Sequence, residues 1–440
     1  MAQSAPSPTP NGPTSSGSVP AIMAPPPGRD NPFTRSLAGL IGLGFLALML
    51  IACLATLPYT LGPATDSGTD ARPVPRYNAG QTSGARLPPT WIAPTADQAQ
   101  RFNSQVPAEV VASIAASHNI SPQAAIASTD GPVADELREH WPRYFLGTDA
   151  LGRSLLIRVL AGGGISLVIG IAAAALSVCI GTAYGAISGY AGGRIDSVMM
   201  RIVDVLYGLP YVLLVVLLAV ASDAMVGEYI SRQKDRAAWV REQASTMMQS
   251  DGLATDGTRV LDYLRANEPI AKNLEADAFK LYPPRNVGES TRRTLDLATL
   301  LIAIGGVSWL TMARVIRGQV LSLKSQPFIE AARAIGLPPS RIFLRHLLPN
   351  LIGPITVYAT LTVPQAMLQE SFLSFLGIGV KPPLPSWGNL AAEGLGELNP
   401  YQSNWWLLAF PCIMLGSTLL AMNFVGEGLR EALDPKRARR

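Results

Sequence analysis

GISLVIGIAAAALSVCIGTAYGAISG, residues 164–189, carries no charged side chain. It is long enough to cross a lipid bilayer as one helix, which takes about 20 mainly apolar residues. Residues 36–57 and 404–426 are equally free of charge, and 297–312 is a shorter uncharged run. Two further blocks are less pure: 202–221 contains Asp204, and 347–367 is interrupted by Pro349, Pro354 and Pro364. Membrane helices tolerate glycine and proline where neighbours satisfy the backbone, so the pattern predicts six spans and an all-α membrane protein. The rest of the composition agrees: 48% of residues are hydrophobic and 15% charged, against about a quarter charged in soluble domains.

Function classes fall away from the same inventory. The net charge of +4 comes with no soluble basic domain or reading motif, so nucleic acid is not an expected partner. Cys53, Cys179 and Cys412 lie in separate apolar blocks and behave as small hydrophobes. No G-x-x-x-x-G-K-[ST] loop occurs, so the chain is not expected to bind ATP. No H-E-x-x-H occurs and His118, His140 and His346 are scattered, so no metal or catalytic site is expected. Gly162, Gly163 and Gly164 open a span and do not follow a strand, which favours helix packing by small residues.

Sidedness follows from short loops, which hold Lys and Arg on the cytoplasmic face. Arg194 and Arg201 separate spans two and three. Arg314, Arg317, Lys324, Arg333, Arg341 and Arg345 separate spans four and five, and Arg430, Lys436, Arg437, Arg439 and Arg440 follow span six. Both termini are therefore expected in the cytoplasm. The expected order is a disordered tail (1–32), the first span (33–60), an outer loop (61–160), spans two and three (161–221), an outer insertion (222–294), spans four to six (295–430) with a cytoplasmic loop at 318–348, and a basic tail (431–440). Helix formers at 228–249 and 258–280 predict a helical hairpin in the insertion. That hairpin either adds contact area for an outer partner or merely packs on the preceding loop.

The cytoplasmic loop contains SQPFIEAARAIGLPPS, residues 325–340. Pro327 suits a first helical turn, and Gly336 with Pro338 and Pro339 marks a stop. Ala331, Ala332 and Ala334 leave little bulk between this backbone and another protein, and Glu330 supplies a charge. Two carboxylates are harder to place. Asp204 is either an interfacial cap or salt bridge or part of a gate. Glu370 either lines the pathway exit or makes a structural hydrogen bond.

Glu330, Ala331, Ala332 and Gly336, followed by Leu348-Pro349, resemble the EAA loop of ABC importer permeases. Residues 146–153 (LGTDALGR), 189–196 (GYAGGRID), 370–377 (ESFLSFLG), 385–388 (PSWG) and 426–435 (GEGLREALDP) are similar to segments of oligopeptide and dipeptide permeases of the second, C-type kind. His346 stands where the broad pattern is aliphatic. The likeness runs from about residue 35 to 435 and leaves out 222–293. It implies a type I importer fold in a bacterial inner membrane, with no chemistry of the chain's own. A homologous second permease, two cytoplasmic ATPase subunits that bind ATP, and an outer solute-binding protein are implied as partners, with peptide as cargo. Nickel, glutathione or an oligosaccharide remains an alternative cargo within the family. A channel or sensor is the alternative from another class.

Overall fold

The computed structural model of the protein describes residues 37–64, 74–253, 257–285, 288–399 and 403–433. The expected N-terminal tail and the basic residues after 433 lie outside the described residues. Regular structure among the described residues is helical, with only isolated bridges between extended segments. The first span, α1 (Leu37–Leu61), is followed by a polar segment with four short helices: α2 (Ala96–Asn103), α3 (Ala108–Ser117), α4 (Pro122–Ala127) and α5 (Pro132–Glu139). The second span, α6 (Leu155–Ala191), leads through α7 (Gly193–Tyr207) to the third, α8 (Tyr211–Ser231). Next come α9 (Gln233–Ser250), α10 (Gly257–Ala266) and α11 (Glu268–Leu281), then the fourth span, α12 (Glu289–Lys324). Two short helices, α13 (Pro327–Ala334) and α14 (Pro339–Ile342), precede the fifth span, α15 (Leu348–Phe375). The last elements are α16 (Trp387–Gly396) and the sixth span, α17 (Trp406–Leu433). Among the described residues, six helical runs are thus long and apolar enough to cross a membrane.

Helices α6 and α12 form the centre. Half of the apolar window of each is buried, against 11% for α8, 17% for α1 and 22% for α15 and α17. Gly181, Gly185 and Gly189 recur every fourth residue on α6 and let α12 approach at backbone distance. A Cβ added to Gly185 would lie 2.3 Å from the Ala313 carbonyl oxygen, the small-residue packing that membrane helices use in place of a hydrophobic driving force. The expectation for Gly162–Gly164 has the same basis: at Gly163 a Cβ would meet Trp387 at 2.5 Å and the Cys53 sulfur at 2.7 Å.

Two expectations change. Residues 202–221 are not one span, because the chain breaks at Gly208-Leu209-Pro210. Asp204 therefore lies on the separate amphipathic helix α7 and not inside span three. The insertion has three helices where the sequence predicts two. The second predicted helix stops at Ala266, since Pro269 suits the first turn of a new helix and not the interior of an old one. These three helices close on a core of their own, with Val240, Ala244, Met248, Val260, Leu274 and Ala278. The helices of the first polar segment do likewise around Val111, Ile114 and Leu137, beside a Phe102–Trp141 stack at 4.6 Å.

Candidate functional site

The loop between spans four and five is built from its glycine outward. Gly336 has φ +76°, a left-handed conformation that glycine adopts at little cost. The Leu337 amide then donates to the Ala332 carbonyl at 3.2 Å and the Gly336 amide to Arg333 at 2.9 Å. This paired closure with a hydrophobic partner is a Schellman cap. It turns α13 back so that Ile329 and Ala332 pack with Ile342 and Leu347, flanked by Tyr190 of α6 and Leu323 of α12. A π-turn, Phe343–Leu347, follows α14, and the Leu348 amide reaches back to the Phe343 carbonyl. Pro349, next in line and exposed, has no amide to continue the ordinary ladder.

The result is a helix with two apolar faces. Ile329 and Ala332 face their own chain. Phe328, Ala331 and Ile335, at positions i, i+3 and i+7, face outward, with Ile335 77% exposed. Leu344, Glu330, Arg333, Arg341 and Arg345 of the same loop are exposed as well. Of the residues that resemble the EAA loop, Glu330, Ala331, Gly336 and Pro349 lie open. Ala332 does not; it belongs to the seat beneath α13, so its small size serves internal packing.

Next to this seat, Asp196 of α7 accepts from Arg317 at 2.6 and 2.7 Å and from Ser188 at 2.5 Å. The Arg317 guanidinium is the main cause that holds the Asp196 carboxyl below its usual range, against an opposing effect of burial. Lys324 donates to the Tyr190 carbonyl at 2.7 Å. The corner between α6 and α7 is thus fastened to α12 just above α13. Asp204 pairs with Arg314 at 2.9 Å, and the same guanidinium lies 3.9 Å from the Tyr207 ring centre. This is the salt-bridge alternative for Asp204, at the surface of this chain.

Glu370 is completely buried. Ser374 donates to it at 2.7 Å and Ser371 at 3.3 Å. The carboxyl is enclosed by hydroxyls inside the helix packing of this chain, which is the structural hydrogen-bond alternative for this residue.

At the opposite end of the molecule a buried ion network escapes sequence inspection. Arg158, on α6, contacts Asp149 at 2.6 Å and Glu393 of α16 at 2.6 and 3.0 Å. Arg153 donates to Asp149 at 2.6 Å and to Asn78 at 2.9 Å. LGTDALGR therefore joins the first polar segment to α6 and α16. Only the charge of Arg158, at the mouth of an apolar run, hinted at it. Nearby, Trp406 is buried and Trp405 remains 42% exposed.

Residues 181–439 match the family described as binding-protein-dependent transport system inner membrane component. The oligopeptide transport system permease protein of Haemophilus influenzae is 38% identical over 293 residues, covering 67% of this chain and 70% of that protein. The dipeptide transport system permease protein of Bacillus subtilis is 36% identical over 298 residues, 68% of this chain and 69% of that protein. For the oligopeptide transport system permease protein of Escherichia coli the figures are 37% over 295 residues, 67% and 72%. With six spans packed around α6 and α12 and a two-faced helix between spans four and five, the chain belongs to the family of binding-protein-dependent transport system inner membrane components.

Proposed function

We propose that this chain is the second, C-type permease of an ATP-driven importer that moves oligopeptides or dipeptides inward. The observation that carries the coupling is the outward apolar face of α13. A helix seated on its own chain by Ile329 and Ala332 has no internal use for Phe328 and Ile335 on the other side. Such a face, with exposed charges on the same loop, fits a docking surface for another protein. The occupant is a cytoplasmic ATPase subunit. Force applied to α13 passes through Tyr190 and Leu323 to α6 and α12, the two most buried spans. The permease thereby shifts between packings that its partners stabilise differently.

A homologous second permease completes the pathway, two ATPase subunits bind ATP, and an outer binding protein delivers the cargo. This chain binds no cofactor and performs no hydrolysis. Both termini and α13 face the cytoplasm, which the arginines near α13 and on α7 support. Peptide as cargo is supported by the names of the relatives, each an oligopeptide or dipeptide transport protein.

The test is uptake by the complete complex in proteoliposomes. Labelled di- and oligopeptides should accumulate only with ATP on the α13 side and the binding protein on the other, and nickel and glutathione should not compete. Uptake of nickel or glutathione without peptide uptake would replace the cargo. ATP-independent flux would indicate a channel.

A further inference from the structure

Tyr358, Thr362, Gln365 and Gln369 recur along α15 at steps of four, three and four residues. At 3.6 residues per turn they fall within about 60° of one helix face. Tyr358 and Gln365 are exposed, and Thr362 and Gln369 half-buried. The packed side of the same helix carries Ala366, Met367, Glu370, Leu373 and Ser374. Leu368 and Phe372 form an exposed apolar flank beside the polar row. At its outer end the row meets two other spans. Gln369 lies 3.4 Å from the Ser308 hydroxyl of α12, which in turn lies 2.8 Å from the Tyr211 hydroxyl of α8.

Hydrocarbon is a poor environment for this row. The Thr362 hydroxyl can hand its proton to the Tyr358 carbonyl, at 2.7 Å, but Gln365 has no side-chain hydrogen bond among the described residues. A carboxamide has two donor hydrogens and an acceptor oxygen, and leaving them unpaired in an apolar medium costs several kcal/mol. Polar groups within spans therefore face other protein or a water-filled path. The row is also uncharged. An amide side chain matches the donor and acceptor that every peptide unit carries, and it is indifferent to which side chains the peptide bears.

We propose that Tyr358, Thr362, Gln365 and Gln369 line the transport path, with Tyr211 and Ser308 at its outer end, and hydrogen-bond the backbone of the peptide in transit. This rests on the peptide-permease reading above. It places the pathway on the face next to Glu370 and not on Glu370 itself.

The complete importer, reconstituted with a photo-crosslinking amino acid at position 365, 369 or 368 in turn, tests it. Irradiation during ATP-driven uptake of a radiolabelled uncharged tripeptide should give peptide adducts at 365 and 369. These should be at least about fivefold more abundant than at 368 and should be suppressed by unlabelled peptide. A parallel pair, Gln365→Leu with Gln369→Leu, should lower peptide uptake roughly tenfold, the scale of one or two lost hydrogen bonds. If 365 and 369 crosslink to the second permease or to lipid in a complex that does carry peptide, the row is a subunit or lipid contact and the inference falls. If the wild-type complex carries no peptide at all, the cargo reading falls and takes this one with it.

Discussion

Gln369 and Glu370 are adjacent in the chain yet sit in different surroundings, because one step along a helix turns the side chain by about 100°. Glu370 points into a pocket of serine hydroxyls, whereas Gln369 reaches the junction of α8 and α12. An ionisable residue in a membrane span invites a functional reading, and the serine hydroxyls around Glu370 supply a structural one. Ion pairs beyond the spans make firmer statements. Arg86 donates to Glu397 at 2.6 and 2.9 Å and is the main cause that holds that carboxyl below its ordinary value of 4.5. A depressed carboxylate stabilises the fold above its unfolded value and loses that contribution as pH falls through the folded one. Acidification below about pH 4.5 should therefore loosen the Arg86 segment from the turn before α17, while pH 7 to 5 should change nothing. Hydrogen exchange around Arg86 should show that acid step in the wild type. Glu397→Gln should exchange faster throughout and without the step; an unchanged pH profile in Glu397→Gln would contradict the assignment.

Whole elements were legible where hydropathy was continuous and obscure where it was not broken by charge. The run at 164–189 lies within α6, and those at 36–57 and 404–426 fall mostly within α1 and α17, because nothing in a bilayer competes with a long uncharged helix. The division between α7 and α8 was missed, since Gly208-Leu209-Pro210 is only punctuation within an apolar stretch. The polar row on α15 was readable as a helical period but was masked by the three prolines that drew attention to the helix breaks. Arg158 with Glu393 could not have been read, because 235 residues separate the partners. The insertion α9–α11 had to be read without family guidance, and its structure gives a clear expectation. The Arg285 amide donates to the Ile230 carbonyl at 2.9 Å, so the chain returns to the point where it left span three before it enters span four. The core between is self-contained. Replacing residues 233–284 with a short Gly/Ser linker, whose closure costs little, should leave the six spans inserted and monodisperse in detergent. Aggregation of the shortened protein would mean that the insertion supports the membrane domain. Uptake that falls only when the binding protein is limiting would identify the insertion as its contact surface.

At the scale of the molecule, two central helices carry the proposed docking helix at one end and an ion network at the other. Gly181, Gly185 and Gly189 keep α6 against α12 so closely that neither can slide without the other. Asp196 and Lys324 tie the adjoining corner to the same pair. A push on α13 is therefore a push on the core, which is what the proposed coupling to an ATPase subunit requires. Ile335 is the sharpest probe, since it is 77% exposed and takes no part in the seat of α13. The deciding measurement is ATP-driven peptide uptake by the reconstituted complex carrying Ile335→Asp, alone and with Glu330→Lys, beside the wild type. Both variants should insert at wild-type levels. The account predicts that uptake falls about tenfold or more, the loss expected when a central docking contact is removed; uptake at the wild-type rate by correctly inserted Ile335→Asp protein would contradict it.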